Sequence, residues 1–378
     1  MNAIYLDHAA TTPLRAEVRE AMIPLLDGRF GNPSSSHRFG REARAALEEA
    51  RERAADALGA SRHEIVFTCA GTEADNLAVL GRWRARGDGP VVCSAVEHKA
   101  VLKAAARAHA EGAPLIVLGV DGEGRVDPAA LDDVLRSGPS VVSVLWGNNE
   151  VGTLQPVQEI AERCTGAGVI FHSDAVQAFG KVRVRVDETP CDLLSLSAHK
   201  FGGPKGIGLL FVRDGVALEP LSHGGGQEHG LRPGTENVAM AVGLATAIEI
   251  AAAAQESECS RLGALRDRLE RALVLAVPGL VVNAGGAPRL PHILNVSIPA
   301  VDQEALLVAL DLEGVAVSVA SACQSGAAEP SHVLTAMGRI LEHGAAIRLS
   351  VGWTSTESEI DHAAAVIPAI AGRVGART

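Results

Sequence analysis

Residues 193–210 read LLSLSAHKFGGPKGIGLL. An apolar run ends in Ser197, His199 and Lys200, then breaks into a loop holding Gly202, Gly203, Pro204, Gly206 and Gly208, and a second apolar run follows at 207–212. The pattern predicts a buried strand that breaks into a glycine-rich loop before a second apolar run. A lysine at the end of a buried strand, beside hydroxyl and imidazole groups, is an unusual place for a solvated cation. Burial readily moves a lysine pKa, which is what a lysine that forms a Schiff base requires. Taken alone, such a lysine is more often a surface residue at a strand end. The rest of the chain reverses that preference.

Outward from this stretch the pattern alternates. Short apolar runs at 64–68, 91–95, 115–120, 140–146, 169–172 and 192–197 are separated by helical stretches that include 156–167. Strands alternating with helices predict an α/β domain with parallel strands and crossover helices on both faces. Upstream, 14–27 and 41–58 read as helices joined by the turn residues of FGNPSSSH. Downstream, the Ala-rich 238–254 reads as a packed helix, and 255–275 as a linker helix with Arg261, Arg268 and Arg271 on its polar side. A smaller α+β domain follows, with strands at 291–298, 315–319 and 347–351 and helices at 302–312, 331–342 and 356–371. This places a large domain at 14–254 and a small one at 1–13 and 255–378.

Polar residues collect just past the strand ends: Thr72, His98, Asn149, Asp174, Gln177, Ser197, His199 and Lys200. In an open α/β sheet, ligands bind outside the carboxyl ends of the strands. Gly71-Thr72 opens a helix directly after a strand, where backbone N–H groups favour a phosphate, although Thr72 can equally be a plain N-cap. Asp174 can pair with a pyridinium nitrogen and sustain an electron sink, or serve as another N-cap. A lone His98 is more often structural than chemical. Ser197 and His199, two apart on a regular strand, point to one side and suit a single phosphate. Together with Lys200, these groups point to pyridoxal phosphate.

Two residues of the second domain stand out. Cys323, in VASACQSGAAEPSHVL at 319–334, has polar, small neighbours, unlike Cys69 and Cys93, and is a candidate nucleophile, although the loop taken alone favours an incidental free thiol. Arg348, inside the apolar AAIRLSVGW, can grip a carboxylate with two parallel hydrogen bonds, or form a structural ion pair.

Composition narrows the classes. The 378 residues are 47% hydrophobic, 21% charged and only 3% aromatic, which is a globular composition with a core of Ala, Val, Leu and Ile. A net charge of -11 argues against direct nucleic-acid or anionic-membrane binding. The first 13 residues lack a basic region followed by an apolar core, so no signal peptide is expected, and 238–254, broken by Gly243 and Glu249, reads as a core helix. None of the six cysteines forms a C-x-x-C pair, and no metal motif is present, so reduced thiols in a cytoplasmic protein and no metal site are expected.

The motifs YLDHAATTP, GNPSSSH, GTEADN, EHKAV, NNEVGTLQPV, HSDAVQA, SAHKFGGPKGIG, GGGQEHGLRPGTEN and SACQSGAAEPSHVL occur in this order from Tyr5 to about Asp361. Together they resemble the NifS/IscS-like cysteine desulfurases among the fold-type I (aminotransferase class V) pyridoxal-phosphate enzymes. The resemblance implies a large domain with a mostly parallel seven-stranded sheet and a small C-terminal domain. It implies that Lys200 bonds the cofactor and moves the α-proton, that Asp174 meets the pyridine nitrogen, that Gln177 meets the phenolic oxygen and that His98, also catalytic, stacks on the ring and assists proton transfer. Gly71, Thr72, Ser197 and His199 would hold the phosphate, with Thr235 reaching in from a second subunit of a homodimer. Asn149 and Arg348 would orient L-cysteine. Cys323 would take its sulfur as a persulfide, leaving alanine, and pass it to an acceptor protein, a scaffold or thiolation enzyme serving iron–sulfur assembly, tRNA thiolation or DNA phosphorothioation. Gln324, Ala320 and His229 depart from the usual pattern. A selenocysteine lyase or another fold-type I enzyme is the alternative.

Overall fold

The computed structural model describes residues 3–319, 330–341 and 343–375. In chain order its strands are β1 (Ile4–Tyr5), β2 (Ile65–Thr68), β3 (Val91–Ser94), β4 (Leu115–Leu118), β5 (Val141–Ser143), β6 (Phe171–Asp174), β7 (Leu193–Ser197), β8 (Gly208–Val212), β9 (Val281–Asn283), β10 (Ile293–Pro299), β11 (Val315–Ala316), β12 (Ser318–Val319) and β13 (Gly344–Ser350). Seven of them form one sheet in the order β2-β8-β7-β6-β5-β3-β4. Its pairings are parallel except those of β8, which runs antiparallel to both β2 and β7. The strands β2, β3, β5, β6 and β7 are buried along their length; β2, β3 and β5 read as short, largely apolar runs, whereas β6 buries His172, Ser173 and Asp174 and β7 carries Ser195 and Ser197 among leucines.

The turn into β8 depends on glycine. Gly202 has φ +89, a conformation open to glycine at no steric cost. A Cβ on Gly208 would lie 2.5 Å from the Ala70 carbonyl carbon, so the missing side chain lets β8 press against the turn that opens the helix Gly71–Asn76.

A second, antiparallel sheet has the order β12-β13-β10-β9, and β1 pairs in parallel with β11. The helix Val238–Ala276 joins the two regions. Ala241, Leu244, Ala245 and Ile248 pack in the cluster around the large sheet, and Leu262, Leu265, Leu269 and Leu273 in the cluster around the small one. Three- and four-residue spacing gives each half an apolar face. By length and composition this helix could cross a membrane, but it serves both clusters of the core. The packed helix and the linker helix read from the sequence are thus one helix, and the boundary drawn at 254/255 falls inside it.

Candidate active site

The carboxyl ends of the parallel strands open onto a cavity of about 350 Å³. Gly71 and Thr72 line it from the helix after β2, His98 from the turn after β3, and Asn149 from the turn after β5. Asp174 and Gln177 reach it from the end of β6, Ser197, His199 and Lys200 from the end of β7, and Arg348 from β13. Asp174 is the last residue of its strand rather than the one after it. β7 ends at Ser197, and Ala198–Lys200 form a 3-10 turn, so Ser197 reaches the cavity from the strand end and His199 from the turn, not both along one regular strand. Thr72 sits in the first turn of its helix, where Ala70 is the N-cap. Thr235 lines a separate cavity with Cys69 and Arg232. Cys323 lies outside the described residues.

The N-terminal segment 7–13 closes one wall. Lys200 Nζ donates to the carbonyls of Ala9 at 2.7 Å and Ala10 at 2.8 Å. Burial first, then Arg348, lowers its pKa to about 8, while Asp174 and Asp7 oppose the shift. Such an amine still carries its proton most of the time near pH 7 but gives it up far more readily than an exposed lysine. Burial, with Lys200 and Lys205, lowers His199 to about 4, and its Nδ1 lies 3.1 Å from Thr11 Oγ1. His98 is the N-cap of Lys99–Ala110: its Nδ1 accepts from the Ala100 N–H at 3.2 Å, which leaves Nε2 to carry the proton. Although His98 is exposed at the cavity mouth, partial desolvation lowers its pKa, with Asp174 opposing and Lys200 adding.

Beneath the cavity lies a set of buried acids. Asp174 Oδ1 accepts from the Val176 N–H at 2.9 Å, and burial raises its pKa against the pull of His98 and Lys200. Asp75 is 1% exposed with Oδ1 unpaired. Burial, then the charge of Asp174, pushes its pKa well up. Glu97 is raised to about 8, by burial above all, and accepts from Ser94 Oγ at 2.6 Å and the Leu145 N–H at 2.8 Å. Burial and mutual repulsion oppose ionising all three carboxyls, while His98 and Lys200 act to keep Asp174 charged. A ligand atom each of Asp75, His98 and Asp174 lie within 4.8 Å of one another. All three line the same cavity as Lys200.

Arg348 does two things at once. Its Nη2 donates to Asp7 at 2.8 Å and its Nη1 to the Asn149 carbonyl at 2.9 Å, while Nε is buried without a partner. Asn148 shapes the turn that presents Asn149, accepting from the N–H groups of Glu150 at 2.8 Å and Val151 at 2.9 Å. The donor set fits pyridoxal phosphate: an amine of lowered pKa, an anion at a strand end, a hydroxyl and imidazole side beside Gly71, and an arginine with an unused donor. A Cβ on Gly71 would lie 2.9 Å from Val176 Cγ2, so only glycine permits the close approach there.

Sequence reasoning overlooked Asp75, Glu97 and Asp7 as site residues, although they lie inside the quoted motifs GTEADN, EHKAV and YLDHAATTP. It also grouped Cys69 with buried cysteines. Cys69 is exposed and Cys93 is buried, because Cys69 follows the end of β2 while Cys93 lies within β3.

The aminotransferase class-V family model matches residues 4–362. A cysteine desulfurase IscS of Dictyoglomus turgidum is 45% identical over 372 residues, covering 97% of this chain and 94% of that relative. Among solved structures, a NifS-like protein superposes with a TM-score of 0.91 at 35% identity, covering 98% of this chain and all 100% of the other. A structure described as SspA in complex with cysteine gives a TM-score of 0.81 at 35% identity, covering 92% of this chain and 98% of the other.

Proposed function

The chain belongs to the aminotransferase class-V family and is a pyridoxal-phosphate-dependent cysteine desulfurase, and from that premise we propose how its own residues divide the work. The bound cofactor supplies an electron sink that makes bonds at the substrate carbons labile. Lys200 is the amine that carries it. Asp174 would supply the negative charge for the pyridine nitrogen, Gln177 would serve the phenolic oxygen and His98 the ring. Gly71, Thr72, Ser197 and His199 hold the phosphate. Thr235, remote from this cavity within one chain, serves the phosphate site of a second copy, which makes the working unit a homodimer.

Arg348 and Asn149 orient the carboxylate of L-cysteine. Lys200, once released, moves the α-proton, and a pKa of about 8 suits a base working near neutral pH. The Cys323 thiolate attacks the substrate sulfur. A sulfur–sulfur bond forms as the carbon–sulfur bond breaks, and the carbon keeps the electron pair and takes up a proton. L-Cysteine and the thiolate thus become alanine and a Cys323 persulfide with no other reactant. The persulfide passes to a thiol of an acceptor protein, a scaffold or thiolation enzyme, in the cytoplasm.

The observation that carries this reading is the single cavity in which Lys200, Asp174, His98 and Arg348 converge from separate elements. Lys181 provides the internal contrast, because burial lowers its pKa to about 8 as well, yet it lines a different cavity. Borohydride reduction of the purified protein followed by peptide mass spectrometry is expected to place the pyridoxyl adduct on Lys200. An adduct on Lys181 would overturn the assignment.

A further inference from the structure

Gln177 lines the cavity beside Lys200, and its side chain is held from outside that cavity by His292. This histidine precedes β10 and is 2% exposed. Its Nε2 lies 3.2 Å from Gln177 Oε1, and Gln177 Nε2 donates to the Ala9 carbonyl at 2.8 Å. Lys200 Nζ donates to the same carbonyl.

The hydrogen-bonding roles follow one from another. A carbonyl only accepts, so the amide nitrogen of Gln177 faces Ala9 and its oxygen faces the imidazole. That oxygen also only accepts, so His292 carries its proton on Nε2. His292 Nδ1 is buried with no partner. A proton placed there would be an unpaired buried donor, and Nε2 would then set a lone pair against Oε1. The ring stays neutral, because burial, with Lys181, His8, Arg348 and Lys200 around it, drives its pKa well below the ordinary value.

We propose that His292 is a positioning residue: by donating from Nε2 to Gln177 Oε1 it fixes the amide so that the second N–H of Gln177 is left for the phenolic oxygen of the cofactor. The inference rests on the reading of Gln177 as the contact to that oxygen. Without the imidazole only the Ala9 carbonyl still holds the amide, so a turn-over that presents its oxygen to the cofactor, acceptor against acceptor, costs less than in the native protein. A donor at the phenolic oxygen stabilises its negative charge, which grows when the neighbouring imine loses its proton, so the donor holds the pH of that loss down.

The test compares His292→Phe, His292→Gln and Gln177→Leu. Two quantities are read: the pH midpoint of the visible band of the cofactor-loaded protein, and the affinity of the apoprotein for pyridoxal phosphate. His292→Phe is expected to raise the midpoint by about one unit and to weaken binding about tenfold, the scale of one hydrogen bond to a charged atom. His292→Gln, which restores a donor, is expected to recover most of both. Gln177→Leu is expected to match His292→Phe, with no further shift in the double variant. A shift in Gln177→Leu without one in His292→Phe would overturn the role of His292 and leave that of Gln177 standing, whereas no shift in either would overturn both. Nitrogen NMR of the native apoprotein decides even if His292→Phe does not fold. A neutral Nε2–H ring from pH 5.5 to 8.5 (roughly one unit either side of the ordinary histidine pKa and beyond) supports the proposal, and an Nδ1–H or charged ring overturns it.

Discussion

Replacing Glu228 by Gln removes one charge and almost no volume, and it is expected to be among the costliest single changes outside the cavity. The Glu228 carboxylate accepts from Arg51 Nη1 and Nη2, each at 2.8 Å, and from the Phe67 N–H at 2.8 Å. Arg51 also donates to the Ile65 carbonyl at 2.7 Å and lies over the Phe67 ring. The two side chains are 4% and 3% exposed. The pair therefore ties the helix Arg38–Leu58 and the edge strand β2, which leads into Gly71, to the loop that carries Thr235. With Gln at 228, the guanidinium remains buried and its nearest remaining carboxylate is Glu48, at 3.8 Å from Nε. Breaking a buried pair from one side costs about 3–5 kcal/mol. Urea unfolding followed by tryptophan fluorescence, at fixed protein concentration, reads this as a lower midpoint at unchanged slope. Glu42→Gln is the control: it makes the same chemical change, on the helix that carries Arg51, in an exposed pair with Arg38. If Glu228→Gln costs no more than Glu42→Gln, the account of a buried, structure-bearing charge pair is wrong.

Two further outcomes follow from the cavity. Burial holds the Glu97 pKa at about 8 against an ordinary 4.5, so between those values the folded protein keeps a proton that the unfolded chain releases. Apoprotein stability should therefore fall with rising pH across that window, and Glu97→Gln should remove a slope on the order of 1.4 kcal/mol per pH unit from the profile. Parallel profiles for parent and variant would contradict this. Arg348→Lys keeps the charge but loses the planar fork, and the KM for L-cysteine should rise about 10- to 100-fold, with kcat less affected. An unchanged KM with a reduced kcat would separate Arg348 from substrate binding.

Much of the fold and cavity is legible in the sequence because buried parallel strands are short apolar runs, and because ligands gather at their carboxyl ends. The ends of β2, β3, β5, β6 and β7 can be read off as the points where those runs meet polar residues. Direction is harder: nothing in GLLFV states that β8 runs against its neighbours. β9 escapes notice because VVN is three residues on a half-exposed edge, too short to show a period. The helix Val238–Ala276 looks like two because its apolar face changes partners part-way along, a tertiary fact. Arg51 and Glu228 sit 177 positions apart, and an arginine in an Ala-rich helix reads as solvated until its partner is seen. His292 is overlooked for a similar reason. Its meaning lies in Gln177, 115 positions away, and in which atom of an amide faces which carbonyl.

The most direct test of the account is a single turnover with L-cysteine in the native protein and in Cys323→Ala, scoring free alanine and protein-bound sulfur by mass spectrometry. The account predicts alanine together with one added sulfur atom on the peptide containing Cys323, both lost in the variant. Alanine formed at an undiminished rate by Cys323→Ala would contradict the transfer of sulfur to that thiol.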